Sequence, residues 1–225
     1  MDEKHLSLLF EKSFPFWNHM TADDQKSFLR SSYQVHFDKG MNIHDGNQCT
    51  GIILIKTGSL RLYLLSDDGK EITLGRLFPG EICVLSASCA LHSVTVDIFI
   101  DSEENSECVV VGGCAYEEIS HRMPEVKIFT YEAALGRFSE IMWVMQQILF
   151  MSMDKRLAIF LLDEAAKNGT DTIKLTHEQI AKYMGSAREV VSRMLKYFAS
   201  EGMIASSRSE GIRLLDRKRL RALAL

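Results

Sequence analysis

The chain has 225 residues, of which 46% are hydrophobic and 25% charged, with three prolines. This length fits two modest domains that can each bury a core, and the composition is typical of a globular protein rather than a disordered or fibrous one. The first residues, MDEKHLSLLF, lack the features of a secretory signal, and no apolar run approaches the roughly 20 residues that span a bilayer. We therefore expect a cytoplasmic protein without a membrane-spanning segment.

The net charge of −4 is unevenly divided along the chain. Residues 1–169 contain 15 Lys and Arg against 24 Asp and Glu, whereas residues 170–225 contain 11 against 6. The two segments therefore carry −9 and +5. A basic C-terminal quarter on an acidic body is typical of localised binding to a polyanion, and a merely solvated basic surface is the alternative.

Five cysteines are distributed through the first half of the chain: Cys49, Cys83, Cys89, Cys108 and Cys114. An odd number in a chain without a signal peptide predicts free thiols rather than a disulfide framework. No two of them form a CxxC pair. A four-cysteine zinc or iron-sulfur site therefore has no local support in the sequence, and no metal site is predicted.

Residues 33–122 predict a series of short strands. Apolar and β-branched clusters recur between Gly and Asp residues, namely YQVHF, GIILI, SLRLYLL, EITLGRLF, SVTVDIFI and ECVVVGG. This spacing suits an antiparallel sandwich or barrel. Asp68 and Gly69 lie between two of the clusters and predict a hairpin, because both central positions of the favoured tight turn need positive φ. We therefore expect an all-β first domain.

A helical period begins near Glu125 and continues for more than three heptads. Apolar residues at alternating steps of three and four form a seam that consists of Ile128, Tyr131, Leu135, Phe138, Met142, Met145 and Leu149. A second apolar stripe consists of Ala134, Ile141, Val144, Ile148 and Met151. One stripe can cover the β-domain while the seam meets a partner helix, and a single helix buried within one domain is the alternative.

The last quarter of the chain contains the most specific signals. The stretch DKRLAIFLLDEAAK predicts a helix that is capped by Asn168 and Gly169. Thr176 with Gln179 has capping-box spacing and predicts the start of a next helix, with Ile180, Ala181 and Met184 facing inward. Gly185 ends that helix, and Ser186 with Glu189 predicts a second capping box. Two helices joined by a tight turn that contains Gly form a helix-turn-helix.

The second of these helices has one apolar and one polar side. Val190, Val191, Met194, Leu195 and Phe198 are predicted to be buried, while Arg188, Glu189, Ser192, Arg193 and Lys196 fall on or near the opposite face. Arginine donates to guanine, glutamate accepts from cytosine and serine can do either, so this face has the side chains that recognise base edges. The stretch MIASSRSEGIRLLD then predicts a two-stranded wing, flanked by Arg208 and Arg213, which could approach phosphates. Each residue alone also fits a capping or solvated surface role.

These motifs together resemble a known family. The run LTHEQIAKYMGSAREVVSRMLKYFASEGMI closely resembles the helix-turn-helix of the Crp/Fnr family of bacterial regulators. The segment FDKGMNIHDGNQCTGIILIKTGSLRLYLLSDDGKEITLGRLFPGE is similar to that family's cyclic-nucleotide-binding-type β-roll, and the long helix occupies the place of its dimerisation helix. The resemblance thus covers nearly the whole chain.

The resemblance implies an α+β fold in three parts: an N-terminal antiparallel β-roll sensor over residues 1–122, a dimerisation helix over 123–153, and a C-terminal winged helix-turn-helix over 154–225. It implies a transcription regulator with double-stranded DNA, a second copy of itself and RNA polymerase as partners. Glu189, Ser192 and Arg193 look more like the Fnr type than the catabolite-activator type, which has glycine at the position of Ser192, and they imply half-sites like TTGAT. The expected DNA-binding residues are Thr176, His177, Arg188, Glu189, Ser192, Arg193, Lys196, Arg208 and Arg213.

The effector region departs from the family pattern. Gly80 and Glu81 match the family's Gly-Glu, but Leu91 and His92 stand where cyclic-AMP-binding members have the Arg-Ser or Arg-Thr pair that holds the phosphate. A leucine cannot supply forked donors to a phosphate, so the effector is not expected to be cyclic AMP. The first cysteine is Cys49, which also disfavours an N-terminal iron-sulfur cluster. An unidentified small ligand or a redox signal is expected near Gly80, Glu81, Cys83, Cys89, Leu91 and His92.

Thiol and haem chemistry remain alternatives in this region. Cys83 or Cys89 could act as a thiol switch if exposed, although burial as small apolar residues is the competing interpretation. His44 or His92 could ligate haem, although an isolated histidine is more often structural.

Two other classes of protein are considered. A cupin-like metalloenzyme would need a His-x-His pair, and the chain has none. A ligand-binding module without DNA contact would not need the wing or the polar face between Arg188 and Arg193. No nucleophile elbow or phosphate loop is found. We therefore expect a regulator and not an enzyme.

Overall fold

A computed structural model describes residues 3–46, 49–87, 97–207 and 210–225. The chain divides into two compact units. The first contains residues 1–65 and 74–141, and the second contains residues 66–73 and 142–225. The boundary therefore falls within the long central helix. Within the described residues, no helix is both long and apolar enough to cross a membrane.

The first unit begins with two helices that the sequence analysis did not predict. They are α1 (Glu3–Ser13) and α2 (Ala22–Arg30), and a 3-10 turn over Trp17–His19 lies between them. Thr21 caps α2, because its hydroxyl accepts a hydrogen bond from the backbone N–H of Asp24. Their inward faces bring together an aromatic cluster with mostly edge-to-face contacts, made of Phe10, Phe14, Phe16, Trp17 and Phe28.

Eight strands follow among the described residues and form two antiparallel sheets, as expected for the first domain. The first sheet has the order β1 (Ser32–Phe37), β8 (Ser106–Val111), β3 (Ile52–Thr57) and β6 (Ile82–Cys83). The second has the order β2 (Asn42–His44), β7 (Phe99–Ser102), β4 (Leu60–Leu65) and β5 (Glu71–Leu77).

Strands β3 and β8 are buried on both faces, which explains their continuous apolar sequences. On β3, Ile52 and Leu54 pack against the aromatic cluster of the helices, while Ile53 and Ile55 pack into the core between the two sheets. Alternate side chains of a strand point to opposite faces, so a strand between two cores needs apolar residues at every position. A run such as IILI is the result.

The predicted hairpin between β4 and β5 is present, but its turn differs from the expected type. Within this turn, only Gly69 has positive φ, at 79°. Asp68 does not, because no described non-glycine residue has positive φ. The N–H groups of Gly69 and Ser66 donate to the carbonyls of Ser66 and Lys70 respectively. The connection has three residues and ends in a left-handed glycine. Only Gly69 therefore adopts the left-handed conformation, and Asp68 keeps an unstrained backbone.

The segment after β8 is helical, which corrects the expectation of strands up to residue 122. Helix α3 (Gly113–Arg122) is followed by α4 (Pro124–Phe150). The Tyr116 hydroxyl lies 2.8 Å from that of Thr130, so a buried hydrogen bond joins the two helices. Thr130 also donates to the carbonyl of Val126. The strand pattern therefore ends at Val111, where two glycines begin the change to helix.

The second unit is a helical domain with a small sheet, in agreement with the predicted winged helix-turn-helix. Its helices are α5 (Met153–Lys167), α6 (His177–Met184), α7 (Arg188–Ser200) and α8 (Arg217–Ala224). Its strands are β9 (Thr172–Ile173), β10 (Ile204–Ser207) and β11 (Gly211–Leu214), in the order β10-β11-β9. One core joins all these helices with the sheet, and its members include Leu161, Ile180, Val191, Phe198 and Ile212.

Candidate nucleic-acid interface and effector cleft

The first helix of the helix-turn-helix begins with the predicted capping box. The Thr176 hydroxyl accepts from the N–H of Gln179 at 3.1 Å, and the Gln179 side chain accepts from the N–H of Thr176 at 2.8 Å. Two donors that the helix itself leaves unpaired are thereby satisfied. Ile180, Ala181 and Met184 face inward as predicted.

The turn between α6 and α7 is closed by backbone hydrogen bonds. Gly185 has φ of 57°, its N–H donates to the carbonyl of Lys182, and the N–H of Ser186 donates to the carbonyl of Ala181. This pair of bonds is a Schellman motif, in which Ser186 is the second residue past the helix. The predicted second capping box is therefore wrong. Helix α7 instead begins after Ala187, which makes no side-chain cap.

Helix α7 presents the predicted polar face to solvent. Val191, Leu195 and Phe198 are fully buried, and Val190 and Met194 are partly covered. The charged residues of the opposite face, Arg188, Glu189, Arg193 and Lys196, are all exposed. None of these four side chains makes an ion pair or side-chain hydrogen bond to the rest of the described chain. Their donors and acceptors are available to an external partner.

Ser192 is held by a contact that sequence reasoning did not identify. The His177 ring nitrogen Nδ1 lies 2.8 Å from the Ser192 hydroxyl, and both residues are partly buried. The hydrogen bond joins the first turn of α6 to the polar face of α7. It fixes the orientation of the hydroxyl in the middle of the open face.

The wing is formed as predicted by β10 and β11. Gly211 at its turn has φ of 85°, and a Cβ at this position would lie 2.5 Å from the carbonyl oxygen of Ile173 on β9. Only glycine fits there, because both the backbone conformation and the space exclude a side chain. Arg213 is exposed and makes no side-chain hydrogen bond or ion pair to the part of the chain that the structure describes. Arg208 lies outside the described residues.

In the first unit, Gly80 and Glu81 form a tight turn rather than an open cradle. Gly80 has φ of 90° after Pro79, as in a type II turn, and its N–H donates to the carbonyl of Ile55 at 2.8 Å. The Glu81 carboxylate accepts from the N–H of Phe78 at 2.9 Å and lies 3.6 Å from the Arg137 guanidinium. Leu91, His92 and Cys89 lie outside the described residues.

A small cleft lies between β4, β5 and helix α4. Leu62, Leu74, Leu85 and Ile141 provide its apolar lining, and Arg76, Arg137 and Glu140 provide its charges. Both arginines are already paired: Arg76 with Glu103 at 2.5 Å and Arg137 with Glu140 at 2.7 Å. As the described residues outline it, the cleft has room for about one water molecule. The sequence analysis missed these residues, because they come from distant segments with no shared motif.

One cysteine differs from the prediction that all five are free thiols. Cys49 takes part in a disulfide bond. Cys83, Cys108 and Cys114 are free. Burial raises the pKa of Cys83 and raises that of Cys108 to about 12, so neither thiol forms a reactive thiolate readily. Cys83 therefore behaves as a small apolar core residue.

His44 also has a structural environment. It is buried, its Nδ1 lies 2.8 Å from the Thr50 hydroxyl, and burial lowers its pKa. Among the described residues, no group of three or more His, Cys, Asp or Glu side chains is placed to hold a metal ion.

The seam of α4 is open along its whole length. Its seven residues, Ile128, Tyr131, Leu135, Phe138, Met142, Met145 and Leu149, are between 45% and 65% exposed. The second stripe, Ala134, Ile141, Val144, Ile148 and Met151, is partly covered by the same chain. A row of large apolar side chains in water is unfavourable for an isolated chain and marks an interaction surface.

Comparison with known proteins agrees with this architecture. The model of the Crp-like helix-turn-helix domain matches residues 155–223. The crystal structure of a transcriptional regulator assigned to the Crp/Fnr family, from Eubacterium rectale, is 43% identical, with a TM-score of 0.89 over 94% of this chain and 98% of that one.

Two curated relatives are more distant. The nitrogen fixation regulation protein FixK of Bradyrhizobium diazoefficiens is 28% identical over 91% of this chain and 87% of its own length. The cAMP-activated global transcriptional regulator Vfr of Pseudomonas aeruginosa is 23% identical over 74% of this chain and 81% of its own length.

The winged helix-turn-helix, its open polar face and these relatives define a DNA-binding transcription regulator and not an enzyme. The chain belongs to the Crp/Fnr family.

Proposed function

We propose that this protein binds a palindromic DNA site as a homodimer, with half-sites like TTGAT, and that a signal other than cyclic AMP controls it through the β-roll. The observation that carries the proposal is the face of α7. There, Arg188, Glu189, Arg193 and Lys196 are exposed and make no ion pair or side-chain hydrogen bond within the described chain. A surface of this kind has its hydrogen-bonding capacity directed outward, as base recognition in the major groove requires.

Individual roles follow from side-chain chemistry. Glu189 accepts from cytosine and Arg193 donates to guanine at the central G·C pair, and Ser192 lies near a thymine. Arg213 and Arg208 of the wing contact phosphates, as do Arg188, Lys196, Thr176 and His177 at the edges of the interface. The +5 charge of residues 170–225 supports binding to the phosphate backbone despite the acidic body.

The seam of α4 is the proposed dimer interface. It pairs with the same seam of a second copy, which places two α7 helices about one DNA turn apart and matches the two-fold symmetry of a palindrome. In this arrangement residues 1–122 are the sensor, 123–153 the dimerisation helix and 154–225 the DNA-binding domain. RNA polymerase is a further partner, and the protein acts in the cytoplasm, where its DNA target is found.

The controlling signal is proposed to be an unidentified small ligand or a redox change. The relative Vfr is named as cAMP-activated, but Leu91 and His92 stand here at the positions of the phosphate-holding pair. If thiols are the sensor, Ser replacements at Cys83 and Cys89 together should abolish any response to peroxide or diamide. The burial of Cys83 favours the ligand alternative.

Selection of bound DNA from a random pool tests the proposal. The full-length protein should return a two-fold symmetric site with TTGAT-like half-sites. The triple variant Arg188→Ala, Glu189→Ala, Arg193→Ala should return no enriched sequence. Enrichment of a site without two-fold symmetry would contradict the proposal, and so would an unchanged consensus with the triple variant.

A further inference from the structure

The second unit includes a short segment from the first half of the chain. Residues 66–73, the tip of the hairpin between β4 and β5, belong to this unit together with residues 142–225. The tip is tied by its own hydrogen bonds, because the Ser66 hydroxyl donates to the Asp68 carboxylate at 2.6 Å and accepts from the N–H of Lys70 at 3.0 Å. A turn closed in this way keeps a defined shape.

Three consecutive residues of the tip contact the end of helix α6. The Thr73 hydroxyl donates to the carbonyl of Lys182 at 3.0 Å, and Thr73 is buried. The Glu71 carboxylate lies 3.3 Å from Lys182 Nζ. Ile72 packs against Gly185, since a Cβ at Gly185 would lie 3.3 Å from Ile72 Cγ1. The tip therefore contacts both the last turn of α6 and the glycine that ends it.

The carbonyl of Lys182 belongs to the turn between α6 and α7. The last four carbonyls of a helix have no partners within the helix, and this one accepts from the N–H of Gly185 as well as from the Thr73 hydroxyl. The carbonyl of Met184 accepts from Arg156 of α5. The turn is thus held by two elements outside the helix-turn-helix, the hairpin tip and α5.

The hairpin tip leaves the polar face of α7 open. The charged residues of that face are exposed and make no ion pair or side-chain hydrogen bond within the described chain. The contact with α6 therefore does not block the face. Helix α7 begins at Arg188, three residues after Gly185, so its orientation depends on the conformation of this turn. A recognition surface held in one orientation loses less conformational freedom on binding and binds more tightly.

We propose that Glu71 and Thr73 are positioning residues for DNA recognition, which hold the turn before α7 in the conformation that presents its polar face to DNA. The inference rests on DNA binding by α7, but not on the TTGAT-like half-sites, the dimer or the nature of the signal. Strand β5 continues from Thr73 into Leu74, Gly75 and Arg76, which line the cleft of the first unit. The positioning contact thus lies in the same strand as part of that cleft.

The first test removes the Thr73 hydroxyl in the whole chain. Thr73→Val keeps the shape of the side chain but has no donor, whereas Thr73→Ser keeps the donor. On the duplex that selection from a random pool returns, Thr73→Val should bind about fivefold more weakly, because the hydrogen bond that holds the turn is lost. Thr73→Ser should bind within about twofold of the wild type. Fluorescence anisotropy measures both affinities.

The second test uses the sign of a charge change. Glu71→Lys adds positive charge, which by itself favours DNA, but it repels Lys182 and should weaken binding about threefold. Adding Lys182→Glu reverses the ion pair and should restore the affinity. Asp67→Lys is the matched control and should not weaken binding. It makes the same charge change at an exposed residue of the tip that has no ion pair or side-chain hydrogen bond to the described chain.

Hydrogen exchange tests the contact without DNA. The N–H groups of Gly185 and Ser186 should exchange about fivefold faster in Thr73→Val than in the wild type, while that of Leu220 on α8 should be unchanged. A wild-type protein that binds no DNA would contradict the proposed function, whereas unchanged exchange at the turn would contradict the positioning contact. Equal losses of affinity in Thr73→Val and Thr73→Ser would also overturn the proposal, as would a charge swap that binds no better than Glu71→Lys.

Discussion

The two units of the protein use their charged side chains in opposite ways. In the first unit, the arginines that line the cleft are paired with carboxylates of the same chain, Arg76 of β5 with Glu103 and Arg137 of α4 with Glu140. On α7 and the wing, Arg188, Arg193 and Arg213 make no such pairs with any described residue. Removing one partner of a half-buried ion pair leaves an uncompensated charge and destabilises its unit, whereas an exposed charge contributes little to stability and remains available for binding.

This difference in charge pairing indicates which surface of each unit is available to an external partner. The polar face of α7 is open in the free chain, because its charged side chains make no ion pair or side-chain hydrogen bond within the described residues. As the described residues outline it, the cleft of the first unit is lined by internally paired arginines and has room for about one water molecule. A ligand there would have to displace internal partners, so its binding would be coupled to a conformational change.

The largest expected effect concerns the open seam of α4. Its exposed apolar side chains, like the exposed charges of α7, have no partner within the described chain. Leu135→Glu with Met142→Glu should place like charges against the same residues of the second copy and give a monomer. Operator affinity should fall at least about 100-fold, because a monomer cannot bind two half-sites at once. Sedimentation and fluorescence anisotropy measure the two effects.

Ser139→Glu is the matched control for the seam. It adds the same charge at an exposed position beside the seam, about 40° around α4 from Leu135, where the carboxylate can still reach solvent. It should leave both the assembly and the affinity unchanged. A wild-type protein that sediments as a monomer at micromolar concentration would remove the basis of the proposed dimer.

The next effect tests the paired charges of the β-roll directly. Glu103→Ala removes the carboxylate that lies 2.5 Å from the half-buried Arg76 and should lower the free energy of unfolding of the first unit by about 2–4 kcal/mol. Arg188→Ala, on the open face, should change it by less than about 0.5 kcal/mol. Urea titrations followed by circular dichroism compare the two variants. Equal losses would show that the supposed difference between the two units does not exist.

A smaller effect is expected at the contact between His177 and Ser192. His177→Phe removes the hydrogen bond but keeps an aromatic ring, and it should reduce discrimination at the base pair near Ser192 by about 1 kcal/mol. Discrimination at the G·C pair assigned to Arg193 should be retained. Binding assays on operators with single substitutions distinguish the two positions, and an equal loss at every position would assign His177 to phosphate contact instead.

The smallest expected effect is the absence of a response to cyclic AMP. At millimolar concentration the nucleotide should change neither thermal stability nor DNA affinity, since a ligand that does not bind the native state cannot stabilise it. Differential scanning fluorimetry and anisotropy measure both quantities. Stoichiometric binding in the micromolar range would refute this prediction.

Sequence reasoning succeeded where the structure depends on local signals. The capping box of Thr176, the glycine of the helix-turn-helix turn and the apolar strand clusters between Gly and Asp residues are each determined by residues within a few positions of one another. It failed at Ser186, because the Schellman bond to Ala181 and a side-chain cap compete for the same residue and the sequence does not indicate which forms.

Features built from distant segments were not predictable in the same way. The aromatic cluster joins residues of the first two helices to both β3 and β8, so its composition depends on tertiary packing. The cleft of the β-roll joins β4, β5 and α4. The hydrogen bond between His177 and Ser192 spans 15 positions and has no recognisable spacing. The position of a motif was therefore easier to predict than the partners of its side chains.

The central claim is that α7 identifies bases while the wing holds the backbone. The most direct measurement compares Arg193→Ala with Arg213→Ala on a complete set of operators with single substitutions, each at several salt concentrations. Arg193→Ala should lose about 1–3 kcal/mol at the central G·C pair and relax its specificity. Arg213→Ala should weaken all sequences equally and reduce the salt dependence by about one phosphate contact. A uniform loss in Arg193→Ala, or a loss confined to one base pair in Arg213→Ala, would contradict the account.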